Sequence, residues 1–394
     1  MALRNPMNAR LLRYPGSSTL VSCSDSRDLT WLLEFLRPSL WSRRSGASEW
    51  SVSLVRDGRE RERLLRKRSG EGSQKKALFH LDTRTERFRV LEDAGSRWVV
   101  VDPLGETVCE VEPQRRRVRI VAEEDCWTSR LILMKFVRER AMRAAIEQGL
   151  LPLHAAGFVL EHSAVLIAGP KRSGKTSLLL HSLALATAKT GRGGTPQRLP
   201  IQYLSNDRTL LGRSGSSMQA RGLPTIVSLR TPSLELFPEM RERLEASGAA
   251  PSLSQAEANR FLVGRAQPWR GTRYTLSPRQ LCEMSGVDAR ASAPVGAILF
   301  PRVSGAPGGI GMVKLRPAEA RPHLVQALFR AGETIQVGTL FGDPQKRLEV
   351  GRPDTERWID ALTHQVGCYA CDLGSNAYDD DAWLRRLTSL LAKK

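Results

Sequence analysis

Residues Gly169-Pro170-Lys171-Arg172-Ser173-Gly174-Lys175-Thr176 read G-x-x-x-x-G-K-[ST], and their flanks narrow what this stretch of chain can become. Before them runs Ser163-Ala164-Val165-Leu166-Ile167-Ala168, apolar and of strand length; after them residues 177–185 are rich in helix formers. A strand, a glycine turn and a helix N-terminus in that order make an anion site. The N–H groups of the turn and the positive end of the helix dipole converge on one point. Gly169 and Gly174 permit the turn and the close approach of backbone to phosphate. Lys175 reaches the β- and γ-phosphates, and the Thr176 hydroxyl can ligate Mg²⁺. Pro170, Lys171, Arg172 and Ser173 complete the cradle. A chance match in an ordinary Gly/Ser turn would not carry a strand and a helix at its two ends. The expectation is a binder of nucleoside triphosphate, ATP or GTP, with Mg²⁺.

The chain's 394 residues allow two or three domains, each with an ample core. Hydrophobic residues make up 41% and the mean hydropathy is -0.30, as in a soluble globular protein. No apolar run approaches the roughly 20 residues of a membrane helix, and the first residues lead into no apolar signal core. A cytoplasmic protein without membrane contact is expected. Six cysteines over this length make no disulfide framework. Cys368 and Cys371 form a CxxC, but no second pair or histidine cluster lies nearby to complete a zinc site, so 366–373 reads as a buried strand. The net charge of +19 raises a nucleic-acid reading. Yet the arginines are scattered, and the clusters at 56–76 and 115–119 lack a zinc finger, an RNP-type aromatic segment or basic-region heptads. The first cluster reads as a solvated loop or frayed helix, with a polyanion-contacting surface as the alternative.

Along the chain, 28–36 has the pattern of a short helix ended by Pro38; the rest of the first forty residues gives little signal. Short alternating runs then follow at 50–55, 77–82, 87–91, 98–102, 107–111 and 117–121, separated by turn dipeptides. Residues 1–125 are therefore read as a β-rich accessory region and 126–394 as the phosphate-loop domain, opening with a helix at 127–148. In that helix Leu131, Met134, Val137, Met142, Ala145 and Ile146 can share a face. Residues 153–160 read as one strand, joined through Glu161-His162-Ser163 to the strand entering the phosphate loop. So short a link makes an antiparallel hairpin, whereas the ordinary phosphate-loop fold separates parallel strands by a helix. A Gly/Thr/Arg-rich loop at 189–196, a strand at 201–207 ending in polar residues, and strands at 223–230 and 296–300 come next. Helices are expected at 241–247, 254–263, 354–363 and 380–391.

The hairpin, Leu153-His154-Ala155-Ala156 and the phosphate loop together resemble the catalytic domain of HPr kinase/phosphorylase and its kinase-like relatives. Their phosphate-loop fold is shared with phosphoenolpyruvate carboxykinase. The resemblance covers about residues 125–375 and is specific near 154–176. It implies an α/β domain with a mixed sheet and ATP-dependent phosphoryl transfer to a hydroxyl of a protein, peptide or small molecule. It also implies a site role for His154 near the γ-phosphate. The family ends a strand with two acidic residues: the first takes the acceptor's proton, and the second helps hold the metal. Those positions here are Asn206 and Asp207 in Leu204-Ser205-Asn206-Asp207. An asparagine takes no proton at neutral pH, so by this resemblance Asp207 carries the metal role and any base role. Phosphoryl transfer rests mostly on positioning and charge neutralisation and asks little of a base.

Each candidate has a plainer reading. His154 between apolar residues fits a core histidine, and Asp207 fits a turn aspartate before Arg208. The segment Arg270-Gly271-Thr272-Arg273-Tyr274 fits a strand-edge charge better than a phosphate clamp, and Lys314 stays undecided. Asp379-Asp380-Asp381 fits a helix cap better than a metal site. Two rival functions stand beside the kinase. One is a nucleotide-binding regulatory or assembly protein with little transfer, which Asn206 favours; the other is a nucleic-acid-dependent NTPase, for which no companion motif is found. Further copies of the chain as partners stay open.

Overall fold

The computed structural model describes residues 8–43, 46–66, 76–78, 87–93, 97–102, 105–123, 127–186, 199–215, 217–246, 273–328, 352–379 and 381–392. The protein is mixed α/β with mixed sheets. Its described residues divide into two compact units, one of 8–36 and 40–149, the other of 37–39 and 150 onward. No described helix is long and apolar enough to cross a membrane.

Among the described residues the first unit has nine strands: β1 (Ala9–Tyr14), β2 (Ser17–Cys23), β3 (Trp41–Arg43), β4 (Trp50–Arg56), β5 (Lys76–Leu78), β6 (Arg87–Asp93), β7 (Trp98–Val101), β8 (Thr107–Glu112) and β9 (Arg117–Ala122). Their order is β3-β1-β2-β4-β9-β8-β7-β6-β5. The β2–β4 and β4–β9 pairs are parallel and the others antiparallel. The β1–β2 hairpin had no counterpart in the sequence reading. Its inward positions include Ser17 and Thr19 beside Val21 and Cys23, so the apolar alternation is blurred. Helix α1 (Ser26–Leu36) lies on β2. Helix α2 (Gly58–Arg66) occupies the start of the basic cluster and buries Leu64 against Val99, Val101, Val108 and Val121; residues 67–75 lie outside the described residues.

Helix α3 (Trp127–Glu147) packs on β2, β4, β9 and α1. The compact units therefore part at 149/150 and not at 125/126, because this helix caps the N-terminal sheet. The one-faced pattern expected of it is also incomplete. Lys135, Arg138, Glu139 and Arg140 are buried alongside Leu131, Met134 and Val137. Neighbouring charges accompany this burial: Arg138 pairs with Glu139 at 2.6 Å, while Arg140 reaches Glu49 and Glu147 and lies over the Trp50 ring.

The second unit contains β10 (Leu151–Leu153), β11 (Ala155–Leu160), β12 (Ser163–Ala168), α4 (Lys175–Leu185), β13 (Ile201–Ser205), β14 (Thr209–Ser214), β15 (Ser217–Gly222) and β16 (Val227–Arg230). After these come α5 (Thr231–Glu235), α6 (Pro238–Ala246), β17 (Arg273–Leu276), α7 (Pro278–Ser285), β18 (Ser292–Val303) and β19 (Ile310–Lys314). The unit ends with α8 (Pro317–Ala327), α9 (Arg352–Gln365), β20 (Gly367–Leu373) and α10 (Ala382–Leu391). The main sheet runs β10-β14-β15-β18-β12-β11-β13, with β20 beside β18 and β19 beside β20; β16 and β17 form a separate ribbon. Strands β11 and β12 form the expected antiparallel hairpin, in register from Ala155↔Ala168 to Leu160↔Ser163. Its turn is Glu161-His162, with Glu161 at φ 56°. Apolar side chains of both strands, Phe158, Val165 and Ile167 among them, meet Leu178, Leu179 and Leu183 of α4 in the core. Residues 189–196 and 254–263, expected as a loop and a helix, lie outside the described residues.

Candidate functional site

Strand direction assembles the site. β11 runs against β12 and β13, while β12, β18 and β20 run together. The start of β11 and the ends of β12, β13, β18 and β20 therefore share one sheet edge, where a phosphate site is expected in α/β folds. Gly169–Thr176 follows β12 there and opens α4. Gly169 (φ 154°) and Gly174 (φ 99°) hold left-handed backbone. A Cβ on Gly174 would come within 2.4 Å of Leu373 Cδ1, so another residue here would be strained in backbone and would have to displace the Leu373 side chain. Arg172 is also left-handed, at φ 69°, a strained conformation of the kind that gathers at ligand sites.

Within the loop, Lys175 is only 8% exposed, and its Nζ donates to the carbonyl oxygens of Gly169 (2.6 Å) and Pro170 (2.8 Å). Burial lowers the Lys175 pKa, and the nearby Asp207 charge offsets part of that, leaving it below the usual lysine range. Ser173 is 8% exposed, and its Oγ has no hydrogen-bond partner. That oxygen would lie 3.0 Å from a Cβ on Gly169, so it points into the loop. A desolvated cation and an orphaned hydroxyl are what a phosphate would satisfy. Lys171 and Arg172 are exposed on the rim.

His154 is not within a strand, as expected from sequence, but at the break between β10 and β11. β10 pairs with β14, β11 pairs with β12 and β13, and the His154 N–H donates to Ala327 O at 2.7 Å. The imidazole Nε2 lies 2.8 Å from Asp207 Oδ1, with both side chains more than a third exposed. Two hydroxyls hold that approach: Ser205 Oγ and Thr209 Oγ1 both donate to Ala155 O, at 3.1 and 3.0 Å. They tie the 206–208 turn to the start of β11. Burial raises the Asp207 carboxyl pKa; the His154 hydrogen bond and the charges of His154, Arg208 and Lys175 outweigh it, and the net shift is downward.

Asn206 is engaged differently. Its Oδ1 accepts from the Tyr203 hydroxyl (2.9 Å) and Thr225 Oγ1 (2.8 Å), and its Nδ2 donates to Ile226 O (3.1 Å). Both ends of the amide are spent on holding the β13 end to residues 225–226. The amide serves as donor and acceptor together here, which an ionised carboxylate cannot.

The remaining candidates fall elsewhere. Lys314 ends β19, which runs away from the phosphate-loop edge. Tyr274 sits in the β16–β17 ribbon, and 270–272 lie outside the described residues. Cys368 and Cys371 are buried in β20, three residues apart and so on opposite faces, and burial pushes the Cys371 thiol up to about 12. The Asp381 carboxylate pairs with Arg385 instead of capping α10; Asp380 lies outside the described residues. Among the described residues no group of three or more His, Cys, Asp or Glu forms a metal site. Mg²⁺ bound with phosphates needs fewer protein ligands, and Thr176 with Asp207 is a donor pair of the kind it takes. The sequence reading missed Ser173 as a buried hydroxyl and the Ser205/Thr209 ties; neither follows from residue type without the fold. No protein-family model matches the sequence, and no curated protein matches it either.

Proposed function

We propose that this protein is an ATP- or GTP-binding phosphotransferase of the HPr-kinase-like kind, acting on a hydroxyl of a protein, peptide or small molecule. The observation that carries the reading is one sheet edge holding both a phosphate loop with a desolvated lysine and a His154–Asp207 pair. In this reading Lys175 and the loop N–H groups take the β- and γ-phosphates, and the Ser173 hydroxyl gains its missing partner. Thr176 and Asp207 would hold Mg²⁺, which supplies charge neutralisation when bound. His154 fixes one oxygen of Asp207 and leaves the other for metal or acceptor hydroxyl. Asp207, kept ionised, is a weak base, which suffices for a loose transition state. Steady-state ADP release, with and without added hydroxyl acceptors, tests the proposal in the intact chain and in Asp207→Asn. Turnover that is Mg²⁺-dependent and lost in Asp207→Asn supports it; nucleotide binding with no turnover under any condition overturns it.

The engagement of Asn206 favours a second reading, a nucleotide-binding regulatory or assembly protein with little transfer activity. The residue standing where the resemblance expects the base is a structural tie. Tight nucleotide binding with no ADP release is its signature.

A further inference from the structure

The turn after β20 carries an aromatic ring against the first turn of α4. The Tyr378 hydroxyl faces the Ser177 side chain; burial raises its pKa, and Ser177 lowers it by less. The ring is held by His181 (centroids 5.3 Å apart) and Phe237 (5.6 Å), and His181 in turn stacks on Trp383; these three are nearly fully buried, whereas Tyr378 keeps part of its surface open. The backbone fixes the turn: Gly374 N donates to Gly309 O, Ser375 N to Ala306 O and Asn376 N to Gly308 O. Leu373, just before it, is the side chain that closes on Gly174. Ser375, Asn376 and Asp379 are exposed around the ring. Lys175 and Thr176 serve the β/γ end of a bound triphosphate, so Ser177, next along the helix, borders the α-phosphate, where the nucleoside begins.

We infer that Tyr378 and its turn form the nucleoside side of the site, the ring stacking on a purine base and the polar side chains meeting its edge and the ribose. The inference rests on the nucleotide reading above. Calorimetry with Mg²⁺ and either ATP or inorganic tripolyphosphate separates the two. The intact protein should bind ATP about tenfold more tightly than tripolyphosphate, the scale of one base–aromatic stack. Tyr378→Leu, which still fills the space beside His181 and Phe237, should lose that advantage and leave tripolyphosphate affinity unchanged. Tyr378→Phe should keep it to within about twofold. Equal affinity of the intact protein for both ligands overturns the inference, as does a Tyr378→Leu loss shared equally by both ligands or absent from both. Should Tyr378→Leu fail to fold, the intact protein and Tyr378→Phe decide alone. If the intact protein binds neither ligand, the nucleotide reading itself falls, and the inference with it.

Discussion

Two buried charges, Asp28 in the first unit and Lys175 in the second, are held in opposite ways. In the first, Asp28 is fully buried and takes two arginines: Arg56 in a bidentate pair at 2.8 and 2.9 Å, and Arg130 at 2.6 Å. Beside α2, Arg119 bridges Glu60 and Glu110. Asp28, Glu60 and Glu110 each meet a guanidinium that holds the carboxylate in place. In the second unit, Lys175 is nearly as buried, yet its Nζ donates to two backbone carbonyls of its own loop. Ser173 Oγ has no partner at all. Charge neutralised from within is architecture. Charge held only by carbonyls is charge that the proposed phosphate would meet in their place.

The largest expected effect lies on the architectural side. Arg56→Ala leaves the Asp28 carboxylate buried with half its neutralisation, and breaking a buried pair in this way costs about 3–5 kcal/mol. Urea unfolding should show that loss, while the folded fraction binds nucleotide as before. A variant that lost nucleotide affinity and kept its stability would reverse the contrast between the units.

Next in size is Lys175→Ala. On the proposed nucleotide reading it removes the buried cation that would meet the β/γ-phosphates, and charge-assisted hydrogen bonds of this kind are worth about 100-fold in affinity. Because the lysine is desolvated without a contacting carboxylate, stability should hold or rise. Thr176→Ala, acting through the metal, should lose less. An unchanged affinity in a folded Lys175→Ala protein would remove the phosphate-site assignment altogether.

The same contrast explains what could be read without a structure. The glycine turn between β12 and α4 and the β11–β12 hairpin were legible, because glycine spacing, apolar runs and a short polar link are local signals. So were α9, β20 and α10, whose ends are marked by local pattern. The β1–β2 hairpin was hidden by inward Ser and Thr, and the placement of α3 by its buried charges, since periodicity assumes that buried means apolar. His154 and Asp207 were named from a resemblance, but their 2.8 Å contact depends on β11 and β13 being neighbours. Asn206 was legible as an odd residue and illegible as a tie, because Tyr203, Thr225 and Ile226 meet it only in the fold.

Asn206→Asp gives a smaller effect and tests that tie. From the resemblance alone, restoring a carboxylate should raise transfer. In the fold it replaces a donor by an oxygen facing Ile226 O, a half-buried mismatch of at most about 1–3 kcal/mol. Thermal unfolding should show the loss. Any gain in ADP release should stay below about 100-fold, depend on Mg²⁺ and disappear on adding Asp207→Asn. Unchanged stability would mean that the amide's three hydrogen bonds do not hold the β13 end.

The smallest effect is electrostatic and separates the units by pH. Asp207 is raised by burial but lowered more by His154, Arg208 and Lys175, so its folded pKa lies below the unfolded one. The folded state then binds fewer protons, and ionised Asp207 adds stability above the unfolded value of about 3.9, lost as the pH falls through the folded value. Its carboxylate is 38% exposed, so solvent screening should keep the contribution below about 1 kcal/mol. In the first unit Glu60 is lowered chiefly by its Arg119 hydrogen bond and has the same sign. The two sources can be told apart. Urea midpoints of the intact protein and Asp207→Asn should differ at pH 7 and converge near pH 3, and saturating Mg²⁺-nucleotide should widen the pH 7 gap. Nucleotide should leave the corresponding Glu60→Gln gap as it was, since that carboxylate already has its cation. A nucleotide-sensitive Glu60 gap, or an Asp207 gap that grows on acidification, would erase the distinction between charge committed to the fold and charge held open for a ligand.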